Sequence, residues 1–235
     1  MNPYTIQQWL FDEAMGKFEI DLGESGIQYH HVKDLHIDPN WDLNYSRDRG
    51  DDQLRSIVSS LYNKNDNEVL ISHGGQEALY LLYNSLLTPG DHVITFTPGW
   101  QQSWEVPEQL GANVDRIPLN SADDYRIDWG AIDSMICGQT KLLILNYPNN
   151  PTGQHLDEDD WHRLAAIVDK YDFYVVNDEE YVQEFSKSIV NRVAHSFFKR
   201  PYSQSRNRLP LVRSFHRQDD QVRHQEFRKL HCRCL

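Results

Sequence analysis

A chain of 235 residues with 39% hydrophobic and 11% aromatic content can enclose one large core or two small ones. No run approaches the roughly 18 consecutive apolar residues of a membrane-crossing helix, and the N-terminus, MNPYTIQQWLFDEAMGKFE, lacks the basic start and apolar centre of a secretory signal. The three cysteines make no disulfide framework, and residues 191–235, with 11 Lys and Arg against 3 Asp and Glu, carry +8 in a chain of −12, which leaves an acidic −20 on residues 1–190. These features point to a soluble, cytoplasmic protein whose body binds neither nucleic acid nor membrane.

In chain order, Leu54 to Tyr62 has helical spacing and Val69 to Ser72 is a short apolar run. Glu77 to Leu87 is helical and stops at Thr88-Pro89-Gly90. His92 to Thr97, Val114 to Leu119, Lys141 to Asn146 and Phe173 to Asn177 read as strands, with a helix over Asp160 to Tyr171 before the last of them. Strands alternating with helices predict an α/β fold: a mostly parallel sheet with helices on both faces. KLLILN and FYVVN do not alternate because a parallel strand is apolar on both faces.

Ligands in such sheets sit beyond the carboxyl ends of the strands. There the chain places Gly74-Gly75-Gln76 opening a helix, Thr97-Pro98-Gly99-Trp100, the turn Asn146 to Gly153 (NYPNNPTG), and Asp178-Glu179-Glu180-Tyr181. Glycines at a helix start leave backbone N–H groups and the positive end of the dipole for a phosphate. Asn149 is expected to close its own turn and Asn150 to face a ligand. Asp178 ends an apolar run, where an unpaired carboxylate is costly to desolvate. Glu179 and Glu180 are expected at the surface, capping the next helix, and Asp157 to Asp160 at a helix N-terminus. Histidines show no ligand spacing, with His30-His31 adjacent and His73 and His92 isolated, so no metal site is expected; Cys137 stands alone and is expected to be buried.

Gly74-Gly75-Gln76, Trp100, Asn150-Pro151-Thr152-Gly153 and Asp178-Glu179-Glu180-Tyr181, in that order, resemble the class I/II aminotransferases, pyridoxal 5′-phosphate (PLP) enzymes of fold type I. Asn150 precedes Asp178 by the family's interval of 28 residues, and Tyr45, Gly50 and Leu54-Arg55 resemble its Tyr-x-x-x-x-Gly segment before a helix. The resemblance covers about residues 20 to 185. It implies that Gly74, Gly75 and Gln76 hold the phosphate, that Trp100 stacks on the ring and that Asn150 and Tyr181 meet the phenolate oxygen. Asp178 would pair with the pyridine nitrogen, and Tyr45 would reach the phosphate of a neighbouring subunit in a homodimer. Gly23 and Gly26 resemble the segment that covers the substrate.

The resemblance divides the chain into an N-terminal arm or partial small domain (1–40), an incomplete PLP-binding large domain (41–190) and a basic tail outside the family (191–235), with the C-terminal small domain lacking. The family's cofactor-carrying lysine, about 30 to 36 residues beyond the aspartate, would fall in Arg208 to Ser214 or just after, where no lysine stands; Lys187 and Lys199 are misplaced. Loss of the reading frame near residues 186–195 would account for both the tail's composition and the missing lysine, whereas a basic nucleic-acid arm would account only for the first. The implied function is exchange of an amino group between an amino acid and a 2-oxo acid, with this chain inactive. The alternatives are another fold type I reaction on an amino acid, such as β-elimination or cyclisation, or a non-catalytic PLP-binding remnant.

Overall fold

A computed structural model describes residues 3–20, 23, 31–34, 38–40, 42, 44, 45, 47–62 and 64–181, and the backbone of 211–212. The chain forms two compact units, one of residues 1–72 with 215–235 and one of residues 73–214.

In the first unit, α1 (Thr5–Gln8) runs into a wider turn over Trp9–Ala14, and its large apolar residues, among them Ile6, Trp9 and Phe11, are exposed. A longer helix, α2 (Asp52–Tyr62), is started by Asp51, whose carboxylate accepts from the Gln53 and Leu54 N–H groups at 3.0 Å. Arg55 ties α2 to the following segment through Nε to the Val69 carbonyl at 3.0 Å. Gly50 is obligatory, since its φ is +90° and a Cβ would lie 2.5 Å from Ile71 Cβ. Tyr45 lies in this unit and is fully exposed.

The second unit holds five parallel strands in the order β2-β1-β3-β4-β5: β1 (His92–Thr97), β2 (Asn113–Pro118), β3 (Thr140–Asn146), β4 (Tyr174–Asp178) and β5 (Leu211–Val212). On one face, α3 (Gly75–Leu86) and α4 (Gln102–Gln109) bury Leu79, Tyr83 and Val106 against Val93, Leu142, Ile144 and Val176. On the other, α5 (Trp129–Met135) and α6 (Glu158–Lys170) bury Trp129, Ile132, Leu164 and Ile167 against Ile94, Phe96, Leu143, Leu145 and Val175. Successive β3 side chains thus enter opposite cores, which is why the run is uniformly apolar. Each leucine so buried contributes about 1.5–3 kcal/mol.

Asp157 caps α6, accepting from the Asp160 N–H at 2.9 Å, while Asp160 accepts from the Asp157 N–H at 3.1 Å. Two expectations need correction. Cys137 is exposed, because it follows α5 in the turn that enters β3 rather than lying within an element. Glu179, directly after β4, is buried and accepts from Asn177 Nδ2 at 3.3 Å. His92 is paired with Thr140 by the β1–β3 register, and its side chain also reaches Asp115 of β2. No helix among the described residues is long and apolar enough to cross a membrane.

Candidate functional site

The carboxyl ends of β1, β3 and β4 form one edge of the second unit's sheet. β3 and β4 finish level, with Asn146 opposite Asp178. Asn146 is buried and joins both neighbours: its Nδ2 donates to the Asp178 carbonyl at 3.2 Å, and its Oδ1 accepts from the Asn150 N–H at 3.0 Å. Asn177 acts on the same loop from β4, accepting from the Tyr147 N–H at 3.0 Å and donating to the Tyr147 carbonyl at 3.1 Å. Asn149 closes the turn, its Oδ1 accepting from Thr152 Oγ1 at 2.7 Å and from the Thr152 N–H at 3.2 Å. With those bonds made elsewhere, the Asn150 amide is turned to Tyr181, donating to its Oη at 2.8 Å.

Asp178 is 8% exposed. Burial pushes its carboxyl up to about 7, the negative charges of Glu180 and Glu179 add to the rise, and the Glu180 N–H partly offsets it. No cation contributes among the described residues; the nearby charges that act on it share its sign. The site as built therefore asks for a positive hydrogen-bond donor at this point.

Gly74 precedes α3 with φ +98° and ψ 166°, a conformation essentially confined to glycine, and no side chain caps the helix. Gly75 is buried, whereas Gly74 and Gln76 are exposed. Glu77, in the first turn, is taken up by His73, whose N–H donates to Oε2 at 2.5 Å and whose Nδ1 lies 3.1 Å away; these bonds, the backbone one foremost, hold the carboxyl below its ordinary range. The half-buried Trp100 sits in the loop between β1 and α4, its carbonyl accepting from the Ser103 N–H at 3.0 Å. Two residues on, buried Gln102 donates through Nε2 to the Gln76 carbonyl at 2.7 Å, linking the Trp100 loop to the start of α3.

Of the residues singled out from sequence, Gly74, Gly75, Gln76, Trp100, Asn150, Asp178 and Tyr181 all belong to the second unit, whereas Tyr45 and Gly23 belong to the first. Gly26, Lys187, Lys199 and the window from Arg208 onward, apart from the backbone of Leu211 and Val212, lie outside the described residues. Asn146, Asn177 and Gln102 were not singled out for the site. The available signal was a polar amide inside or directly after an apolar run, a position where side-chain hydrogen bonds are required.

Residues 29–207 match the family described as aminotransferase class I and II. The chain is 32% identical over 151 residues to an aspartate aminotransferase of Pyrococcus horikoshii, covering 62% of this chain and 38% of that relative. It is similar in fold to the solved aspartate aminotransferase of Thermus thermophilus with maleate, at a TM-score of 0.60 and 28% identity over 64% of this chain and 42% of that one. A PLP-dependent aminotransferase from Streptococcus suis gives a TM-score of 0.57 and 32% identity over 60% and 38%. The chain thus spans about two fifths of the length of these relatives. The buried Asp178 carboxyl, whose charged neighbours among the described residues are negative, the glycine start of α3 without a side-chain cap and the Asn150–Tyr181 pair all fit a group with a cationic nitrogen, a phosphate and an oxygen acceptor. With more than half of its residues matched, this chain belongs to the class I and II aminotransferase family, whose members depend on pyridoxal phosphate.

Proposed function

We propose that residues 41–190 form the cofactor-binding part of an aminotransferase acting between an amino acid and a 2-oxo acid, and that this chain holds PLP without turning it over. The observation that carries the reading is Asp178, a buried carboxylate whose nearby charges are negative. A protonated pyridine nitrogen beside it would offset that desolvation through a charged hydrogen bond of about 1.5–3 kcal/mol. The N–H groups opening α3 at Gly74, Gly75 and Gln76 would hold the phosphate, with the helix dipole favouring its charge. Trp100 would cover one face of the ring. Asn150 and Tyr181, already joined at 2.8 Å, would present their polar atoms to the phenolate oxygen. Tyr45 would complete the phosphate site of a second subunit in a homodimer. When bound, PLP supplies an electron sink for the pair left on the substrate's α-carbon.

Turnover in this family also requires a lysine to carry the cofactor and move a proton at the α-carbon. None stands between Arg208 and Arg217. The test is equilibrium dialysis of PLP with the full chain and with Asp178→Asn, followed by borohydride reduction and peptide mapping. The wild-type chain binds, Asp178→Asn binds about ten-fold more weakly or worse, and no lysine acquires the cofactor. Equal binding by the two proteins, or none by either, defeats the assignment of Asp178. A reduced lysine adduct together with measurable amino-group transfer defeats the inactive reading.

A further inference from the structure

At the opposite edge of the same sheet, where the parallel strands begin, four side chains from three strands or their entry turns converge. His92 opens β1, Thr140 opens β3, Asp115 lies in β2, and Cys137 stands in the turn before β3. His92 Nε2 is 3.0 Å from Asp115 Oδ2, and its Nδ1 is 2.8 Å from Thr140 Oγ1 and 3.7 Å from Cys137 Sγ. With the Nε2–H donating to the carboxylate, Nδ1 accepts from the Thr140 hydroxyl, which stands between the imidazole and the thiol. Thr140 Oγ1 is 3.6 Å from the sulfur and donates to it once the thiol has lost its proton, and the Cys137 N–H is anchored to the same oxygen at 2.9 Å. Those donors, the Thr140 hydroxyl first and the Gln139 N–H next, lower the thiol below its ordinary value, with Asp115 opposing. Cys137 is exposed, and with Ile136, Lys170, Tyr171 and Phe173 it lines an open cleft of about 350 Å³. Six residue steps of β3 place this cluster about 20 Å from the Asn146 end.

We propose that Cys137, with His92 as its base through the Thr140 hydroxyl and Asp115 as the residue that orients His92, is a thiol–disulfide exchange site for small soluble disulfides. The Cys137 S–H proton passes to Thr140 Oγ1 as the Thr140 hydroxyl proton passes to His92 Nδ1, and the thiolate, now accepting from the Thr140 hydroxyl, attacks one sulfur of the disulfide. A bond forms between Cys137 Sγ and that sulfur, the original S–S bond breaks, and the departing thiolate takes the proton back from His92. One thiol and one disulfide thus yield one mixed disulfide and one thiol, with no other oxidant. The charged groups around the reaction are His92 and Asp115 on the strand side and Lys170 and Asp172 across the cleft, Lys170 being held by Asp133 at 2.8 Å. Nothing in the site depends on PLP.

The test incubates the full chain with oxidised glutathione at neutral pH and follows Cys137, Cys232 and Cys234 separately by peptide mass spectrometry, with and without urea. Cys137 acquires glutathione about five-fold or more faster than either other cysteine, and faster folded than in urea. His92→Gln removes most of that advantage and Asp115→Asn part of it, whereas Thr140→Ser, which keeps the hydroxyl, retains it. Equal rates at the three cysteines, or a Cys137 rate unchanged by urea, overturn the proposal even where a variant fails to fold.

Discussion

Asn150 Nδ2 donates a 2.8 Å hydrogen bond to Tyr181 Oη, joining two loops separated by 31 residues of chain. The Asn150 N–H is fixed by Asn146, which in turn holds the Asp178 carbonyl, so one chain of amides sets three of the candidate site residues. A single hydrogen bond of this kind is worth about 0.5–1.5 kcal/mol. Asn150→Ala and Tyr181→Phe should each destabilise the folded chain by about 1 kcal/mol, and the double variant by little more than either. A double-mutant cycle in urea reads the coupling directly; strict additivity would mean the contact carries no energy.

Asp178 gives a pH dependence of unusual sign for a carboxyl. Its value rises from 3.8 to about 7 on folding, so the native state holds a proton that the unfolded state has released. Its contribution is therefore fully present below pH 3.8 and is lost as pH rises through about 7. At 1.36 kcal/mol per unit, the loss is at most roughly 4 kcal/mol. Without cofactor, Asp178→Asn should gain stability relative to wild type as pH is raised from 5 to 8. Urea midpoints at those two pH values check it, and parallel changes in both proteins would refute the raised value.

Gly74 occupies a backbone region open to glycine, yet a Cβ there would have no atom within 4 Å. Gly74→Ala therefore tests conformation without crowding. It should cost about 1–3 kcal/mol through backbone strain and weaken PLP binding by displacing the N–H groups that open α3. Gly138→Ala, where a Cβ also meets nothing within 4 Å and φ is not positive, is the control and should leave both stability and PLP binding near wild type.

Leu143 is completely buried between β1, β4, α5 and α6. Leu143→Ala should destabilise the second unit by about 2–5 kcal/mol. Thermal unfolding followed by circular dichroism would show the transition lowered or lost, while a cost under about 1 kcal/mol would contradict the close packing of that face.

Most of the second unit was legible because burial on both faces leaves an unambiguous apolar run. β3 and β4 begin or end within one residue of the boundaries read from KLLILN and FYVVN. α4 escaped notice because QSWEVPEQ is polar and contains Pro107, and α5 because seven residues show too little period. The glycine, asparagine and aspartate positions of the candidate site were readable as residues following strands. Their mutual bonds were not: Asn150 meets Tyr181, and His92 meets Thr140 48 residues away, only once strand register is known. Register is a tertiary quantity, and no local pattern carries it.

The two flanks of the sheet are defended unequally. β2, on one border, carries Asp115, Arg116 and Pro118, so a foreign strand docking there meets charge and a missing N–H. On the other border β5 runs alongside Asn177 and Asp178 only, and among the described residues the Tyr174–Val176 stretch of β4 has no strand beyond it. Sheet extension at the β2 border is thus opposed by the strand's own side chains, whereas along Tyr174–Val176 the side chains are committed to the core, so a solubilising change on that border has to be placed outside these residues.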